Sequence, residues 1–157
     1  MQLRLTLGEL RNVGLEQASG RWIIQWDDDD RHHPQRITEQ MRWAVPVRPV
    51  TLRRQVRFNG VSGKAVVHER RGAWGIEGTI LHERTDVRYP AASKGEAPPF
   101  LKSLNRPIVA DCDPLLYLRL HYGRNTWDEA HIMGPGPGFE PFDPSLIRAV
   151  FTELEHA

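Results

Sequence analysis

Apolar and polar residues are segregated most sharply near the amino terminus of the chain. Residues 21–26, RWIIQW, predict a short strand that is buried on both faces, and four acidic residues, Asp27–Asp30, follow at its carboxyl end. Before this strand, the sequence TLGE at 6–9 has the form of a capping box and predicts a helix that Gly20 ends. After it, Pro34 is placed to open a second helix. The predicted buried faces are Leu7, Leu10, Gly14 and Ala18 in the first helix, with Gly14 and Ala18 close against a sheet, and Ile37, Met41 and Ala44 in the second.

The rest of the chain predicts strands more often than helices. Residues 50–58 alternate between apolar and polar side chains, which predicts one half-exposed strand, and the turn residues that follow predict a hairpin with 65–68. Short strands are expected at 80–82 and 108–110, with one or two helical turns at 100–104. These elements predict an α/β fold over residues 1–133, then a Gly/Pro linker at 134–143 and an amphipathic helix at 144–157, whose buried stripe is Leu146, Ile147, Val150, Phe151 and Leu154.

Composition narrows the class of protein. The chain has 157 residues and a net charge of +1, which suits one domain and gives poor support for nucleic-acid binding. No apolar run approaches the length of a membrane span, and no signal-peptide pattern opens the chain, so we expect no transmembrane segment and a cytoplasmic protein. Cys112 is the only cysteine, which excludes an intramolecular disulfide and a thiolate metal cage.

The acidic run is the strongest candidate for chemistry. Carboxylates this close together repel one another unless a cation lies among them, and hard ions such as Mg²⁺ or Mn²⁺ favour oxygen ligands. The simpler alternative is a solvated acidic loop without a ligand. A second charged stretch, Arg48, Arg53, Arg54 and Arg57, is interpreted as a solvated strand face, with attraction of an anionic acceptor or a phospholipid surface as the alternative.

The motifs around the acidic run resemble those of the family 2 glycosyltransferases. The family pattern is R-N-x-G, A-x-G, a hydrophobic strand, D-D-D-D and H-P-x-R-[IL], and residues 8–37 follow it in order. Weaker pieces follow at 78–81, 89–90, 94–101 and 116–127. The resemblance implies a GT-A-like mixed sheet flanked by helices. The family's V-S-V-I-I-P-T-Y-N strand and D-D-G-S turn do not occur, so the chain is expected to represent the back two-thirds of a catalytic domain.

The resemblance also implies where a nucleotide-diphospho-sugar donor binds. Asp29 is then the direct ligand of Mn²⁺ or Mg²⁺, Asp27 a second metal or ribose contact, Asp28 a donor contact, and Asp30 the least certain of the four. Arg11 and Asn12 match the family's R-N pair beside the donor. For Arg11, an ion pair to the acidic run is the equal alternative. His32 and His33 are interpreted as solvent-facing helix caps, with a soft-metal site as the alternative.

The acceptor side is matched less completely. Inverting members use the aspartate of a G-E-D motif as the base that deprotonates the acceptor hydroxyl. This chain has Gly95-Glu96-Ala97, so Glu96 is the remaining catalytic candidate. His121 and Trp127 match the family's H-G-x-N-T-W stretch and are expected on the acceptor side, where a core position is the alternative for Trp127.

Three functions are compatible with these motifs. The first is transfer of a sugar from the nucleotide-sugar donor to a glycan or lipid hydroxyl with inversion. The second is a non-catalytic relic of the fold that binds metal or sugar, or serves as an interaction module. A plain divalent-metal protein of unrelated fold is the third, and it leaves the ordered later motifs unexplained. The sheet edge left by the missing strands predicts a homo-oligomer.

Overall fold

The chain changes sheets at Arg53, and this break organises the whole architecture. The computed structural model describes residues 5–125, 127–134 and 136–151. Two mixed sheets are flanked by helices, which confirms the predicted GT-A-like α/β class. The helices are α1 Leu7–Gln17, α2 Arg36–Met41, α3 Ala97–Ser103, α4 Glu129–Met133 and α5 Pro144–Val150, with a 3₁₀ turn at Pro114–Leu116. The strands are β1 Trp22–Ile24, β2 Arg31–His32, β3 Val50–Leu52, β4 Arg54–Asn59, β5 Ala65–Glu69, β6 Ile76–Glu83, β7 Ile108–Ala110, β8 Tyr117–His121 and β9 Phe139–Phe142.

Each sheet contains one parallel pair among antiparallel ones. The first has the order β1-β6-β3-β7, with β3 and β7 parallel, and the second has the order β2-β8-β4-β5-β9, with β4 and β8 parallel. The predicted hairpin is confirmed by the antiparallel pairing of β4 with β5. The prediction of one half-exposed strand over 50–58 is wrong, because β3 is buried on both faces and β4 belongs to the other sheet.

β1 is shorter and less buried than its sequence predicts. It spans three residues, all of them half-buried, because among the described residues it lies at the edge of the first sheet and pairs only with β6. The acidic residues that follow it form the connection between β1 and β2, so one short turn links the two sheets.

Helix α1 begins as predicted but buries a different face. The Thr6 hydroxyl accepts from the Glu9 amide, and the Glu9 carboxylate accepts from the Thr6 amide at 2.7 Å, which confirms the capping box. Leu10 is 53% exposed, and a Cβ added at Gly14 would meet no atom of another described element within 4 Å, so the predicted face is wrong. Gly8 and Leu15 are buried instead. The reason is that α1 packs on the loop containing Pro90, where the Gly8 amide donates to the Ala92 carbonyl.

Helix α2 also differs from its prediction. It begins at Arg36 rather than Pro34, and Arg36 and Gln40 are fully buried while Ile37 is 49% exposed. The polar residues point inward because the Gln40 amide donates to the Val50 and Thr79 carbonyls of the first sheet.

The carboxyl-terminal segment packs against the second sheet. Residues 134–143, predicted as a linker, contain β9, which pairs with β5. In α5, Ile147 is buried together with Phe151, which follows the helix, and both pack with Val56, Leu118 and Leu120, whereas Leu146 is exposed, against its prediction. Leu154 lies outside the described residues. In the part of the chain that the structure describes, no helix has the length and apolar character needed to cross a membrane.

Candidate functional site

Asp30, at the carboxyl-terminal end of the acidic turn, is bound to residues of β8. Asp30 is 7% exposed, and its carboxylate accepts from the Tyr117 hydroxyl and from the Leu120 amide at 2.9 Å. Burial raises the pKa of Asp30 to about 6 and raises that of Tyr117 as well. Asp30 is therefore the anchor of the turn on β8, and it shares Tyr117 with Asp27, whose carboxylate lies 3.4 Å from the hydroxyl.

At the first end of the turn, one arginine lies between two carboxylates. Arg11 Nη2 donates to Asp27 Oδ1 at 2.9 Å, and Arg11 Nε lies 3.2 Å from Glu96 Oε1, an ion pair without hydrogen-bond geometry. Glu96 is buried at the start of α3. Helix α1, the end of β1 and α3 thus bring together three residues that the sequence selects, Arg11, Asp27 and Glu96. The ion pair given above as the alternative for Arg11 is present.

Asn12 joins α1 to a distant loop. Its amide nitrogen donates to the Tyr89 carbonyl at 2.9 Å, and its oxygen accepts from the Tyr89 amide at 2.8 Å. The Tyr89 ring stacks on Phe100 with 3.8 Å between centroids, and burial raises its pKa to about 12. These contacts give Asn12 a structural role that holds the neighbouring Arg11 in place.

His32 and Arg36 also hold the acidic turn in place, and the sequence alone does not predict this contact. Arg36 is fully buried, donates to the Gln25 carbonyl at 3.1 Å and contacts His32 Nδ1, while its guanidinium lies over the rings of Trp26 and Tyr117. Burial, together with the charge of Arg36, lowers the pKa of His32 to about 4. A guanidinium only donates, so Nδ1 accepts and Nε2 carries the proton. Nε2 therefore donates to the Asp27 carbonyl at 3.0 Å.

The two adjacent histidines thus have different roles. His32 is half-buried between the Trp26 and Tyr117 rings, so the prediction that it faces solvent as a helix cap is wrong. His33 Nδ1 accepts from the Gln35 amide at 3.0 Å, directly before α2, which agrees with the capping interpretation for this residue. A buried arginine is rare, and nothing in the H-P-x-R pattern alone indicates its burial.

The middle of the turn faces solvent. Asp28 and Asp29 are exposed, and the Asp29 carbonyl accepts from the Tyr122 hydroxyl at 3.1 Å, which ties the turn to the end of β8. Across residues 5–125, 127–134 and 136–151, no three His, Cys, Asp or Glu side chains cluster as a metal cage. A cation that arrives with a diphosphate needs only one or two carboxylates. Asp29 fits that requirement, whereas Asp27 already faces the cationic Arg11.

The two acceptor-side candidates occupy different surroundings. His121 is 6% exposed at the end of β8, and both of its ring nitrogens are buried without a partner among the described residues. Trp127 is half-buried just before α4, stacks on His131 with centroids 4.2 Å apart, and has Lys94 Nζ 5.4 Å from its ring. Lys94 precedes Glu96 by two residues in the chain.

The two mixed sheets, joined by the carboxylate-rich turn and flanked by helices, are consistent with a truncated GT-A-like fold. The chain belongs to the family Glycosyl transferase family 2, whose sequence model matches residues 3–109, more than half of the chain. This match confirms the predicted family membership. Comparisons with curated proteins and with solved structures find no match.

Proposed function

We propose that the chain binds the diphosphate of a nucleotide-sugar donor at the acidic turn and transfers the sugar to a hydroxyl of a glycan or lipid acceptor. The observation that supports this proposal is that two of the four carboxylates in the turn are engaged within the protein and two are exposed. Asp27 and Asp30 are held by Arg11, Tyr117 and Leu120, which leaves Asp28 and Asp29 exposed on a turn whose ends are fixed. Fixed ends reduce the conformational entropy that a ligand contact must overcome.

Asp29 is proposed to hold the divalent cation, Mn²⁺ or Mg²⁺, and Asp28 to contact the donor beside it. The bound cation supplies neutralisation of the charge that develops on the departing nucleoside diphosphate. Asp27 is not needed as a ligand in this scheme. Its carboxylate orients Arg11, and its carbonyl accepts from His32, so its contribution is to place the turn.

Arg11 and Glu96 are proposed to act together. A donor diphosphate would attract the Arg11 guanidinium, whose Nη1 is buried without a hydrogen-bond partner in the described structure. That movement would release Glu96 from its ion pair and allow it to take the proton of the acceptor hydroxyl. Trp127, whose ring lies 5.4 Å from Lys94 Nζ, would then lie beside the acceptor sugar.

A second candidate function, binding without transfer, is favoured by two observations. Ala97 stands where the family base is expected and has no group that accepts a proton, and Glu96 is buried against Arg11. This candidate predicts donor binding without any transfer that depends on Glu96. Glu96→Gln separates the two functions, because the donor should still bind to the variant in both cases, and at least as tightly once Arg11 is released, whereas a transfer activity is abolished only in the first.

Isothermal titration of UDP, with and without Mn²⁺, tests the donor site. We expect Mn²⁺-dependent binding by the wild type and a loss of at least about tenfold in affinity in Asp29→Asn, equivalent to about 1.4 kcal/mol. Asp86→Asn is the matched control, since Asp86 is an exposed acid on a different loop, and its affinity should stay within about twofold. UDP binding that ignores Mn²⁺, or that survives unchanged in Asp29→Asn, would contradict the proposed site.

We also propose a cellular compartment and a mode of self-association. Cys112 is free, which suits a reducing compartment, and we place the protein in the cytoplasm. Self-association is proposed at the β1 edge of the first sheet, where, within the part of the chain that the structure describes, β1 has a strand partner on one side only.

A further inference from the structure

The basic stretch that the sequence places on one strand is dispersed in the folded chain. Arg54 Nη2 pairs with Asp111 at 3.0 Å, and Arg48 donates to the Arg106 carbonyl. Arg57 is instead buried beneath α4. The interpretation of this stretch as one solvated strand face is therefore wrong. Its member Arg54 neutralises an acid that lines a cavity, and this cavity shares no residue with the candidate donor site.

The cavity lies where the hydrophobic cores of the two sheets meet. It has a volume of about 610 Å³ and is enclosed by α2 with the residues that follow it, the loop after β7, the 3₁₀ turn and α5. Cys112 and Leu116 belong to the core of the first sheet, whereas Leu115 and Val150 belong to that of the second. Cavities that hold small molecules measure roughly 300–1,000 Å³ and occur often at such junctions. This cavity therefore has the size and position of a small-molecule site.

Trp43 gives the cavity wall an aromatic surface. It directly follows α2, lines the cavity and is 41% exposed. Leu115, Leu116 and Val150 supply the apolar surface around it. An exposed indole offers an organic ligand a large contact area, and its electron-rich face attracts a cation. The wall is thus suited to a ligand with an apolar body and a positive charge.

Acidic groups outnumber basic groups on the same wall. Glu39, Asp111 and Asp113 line the cavity, together with a single arginine, Arg42. Arg42 Nη1 pairs with Glu39 at 2.7 Å, and Arg54, which does not line the cavity, pairs with Asp111 at 3.0 Å. Two of the three carboxylates are therefore matched by arginines, and neither arginine is left to receive an anionic ligand.

Asp113 supplies the remaining negative charge. Its Oδ1 accepts from the Leu115 amide at 2.9 Å as the cap of the 3₁₀ turn, and it forms no ion pair within the part of the chain that the structure describes. His33 also lines the cavity, and its Nδ1 accepts from the Gln35 amide at 3.0 Å, so this nitrogen carries no proton. The wall thus carries two acid–arginine pairs and one further carboxylate.

The negative charge of the wall also acts on the Cys112 thiol. Burial raises the pKa of Cys112, the Trp43 side chain opposes this effect, and the charges of Glu39 and Asp111 raise the pKa further. The thiol is therefore protonated and adds no charge of its own. Because Cys112 is the only cysteine, it is also a specific reporter of what enters the cavity.

We propose that this cavity binds a small organic cation, an ammonium group on an apolar body. The exposed Trp43 ring and the Asp113 carboxylate attract the ammonium group, and the apolar body packs against Leu115, Leu116 and Val150. An anion would meet three carboxylates, and a neutral molecule would gain nothing from Asp113. The site is separate from the candidate donor site, so it goes beyond the proposed function.

The reactivity of Cys112 measures occupancy at the cavity itself. The probe is benzyltrimethylammonium, and the readouts are the rate at which N-ethylmaleimide labels Cys112 and the affinity from calorimetry. At ten times its Kd the probe leaves about one cavity in eleven free, so labelling should slow about tenfold. Benzyl alcohol and benzoate keep the ring without the positive charge and should bind at least about fivefold more weakly.

Two variants test the two groups that attract the cation. Asp113→Asn removes the charge and keeps a residue that caps well, so the cation should bind about three- to fivefold more weakly while benzyl alcohol is unaffected. Asp143→Asn is the matched control, because Asp143 also precedes a proline and caps its helix through the Ser145 amide at 2.9 Å, outside the cavity. It should bind the cation as the wild type does. Trp43→Leu should weaken binding at least about threefold.

Several outcomes would overturn the proposal. Equal affinities for the cation, the alcohol and benzoate would remove the assignment of a cation, and equal weakening in Asp113→Asn and Asp143→Asn would remove the role of Asp113. Saturable binding that leaves the labelling of Cys112 unchanged would move the ligand to another site. Protection of Cys112 by UDP or by phosphatidylcholine vesicles, but not by the free cation, would assign the cavity to a nucleotide or a lipid. Failure of UDP to bind the wild type would overturn the proposed function and leave this test unaffected.

Discussion

His68 is a single residue whose neutral form the fold requires. It is buried on β5, accepts from Arg57 and contacts the Phe139 ring, with 4.5 Å between centroids. Burial, then the charge of Arg57, lowers its pKa from the ordinary 6.5 to about 3. As the pH falls through 6.5 the unfolded chain binds a proton that the folded chain refuses, so stability contributed by neutral His68 is lost between about pH 6.5 and 3.

We expect His68→Gln to flatten the dependence of stability on pH. The glutamine oxygen still accepts from Arg57 but does not titrate. Between pH 6.5 and 4.5, the wild type should lose up to about 2 kcal/mol more unfolding free energy than the variant. Urea unfolding at four pH values measures this, with the difference at pH 7.5 isolating the effect on packing. Parallel curves for the two proteins over the whole range would contradict the assignment.

Helix α1 shows at the scale of one element what a sequence predicts and what it does not. Its capping box involves residues three apart, so local spacing is sufficient to predict it. Its buried face depends on the loop at Pro90, which is remote in sequence, and periodicity alone selected Leu10 and Gly14. The acidic turn is likewise predicted only in part. Its existence follows from the sequence, but the burial of Asp30 depends on Tyr117 and Leu120.

Two glycines of α1 therefore give opposite predictions. A Cβ on Gly8 would overlap the Pro90 carbonyl oxygen, so Gly8→Ala should destabilise the protein by about 1–3 kcal/mol as α1 is pushed from the loop. A Cβ on Gly14 would meet no other described part of the chain within 4 Å, so Gly14→Ala should stabilise the helix by about 0.5–1 kcal/mol. Thermal unfolding of the two variants measures both effects. A stabilising Gly8→Ala would mean that α1 does not pack on the loop as described.

Gly8 and Gly14 also connect the packing of α1 to the candidate donor site. Arg11 and Asn12 lie between the two glycines, and Asn12 is bonded to Tyr89 in the loop that Gly8 approaches. A shift of α1 would therefore move Arg11 relative to Asp27 and Glu96. Gly8→Ala should weaken UDP binding in addition to stability, whereas Gly14→Ala should leave UDP binding within about twofold of the wild type.

At the scale of the whole molecule, the family match and the folding unit do not coincide. The match ends at residue 109, within β7, and so covers every strand of the first sheet except the last residue of β7. The second sheet needs β8, which lies between β2 and β4, and β9 at its edge, and both come from beyond the match. Tyr117, on β8, also holds the acidic turn. The site thus depends on residues that the family pattern beyond 109 indicates only weakly.

This arrangement predicts that the two sheets unfold together. Ile147 is fully buried against β4 and β8, so Ile147→Ala should cost about 2–5 kcal/mol. Because the acidic turn and the break at Arg53 join the sheets, hydrogen exchange should lose protection equally in β4 and in β6, whose buried residues Ile80 and Leu81 belong to other hydrophobic clusters than Ile147. Leu146→Ala is the matched control on the same helix, since Leu146 is 49% exposed, and it should change little. Loss of protection in β4 with β6 unaffected would mean that the sheets are separate folding units, and the acidic turn would then be a flexible joint rather than a fixed part of the site.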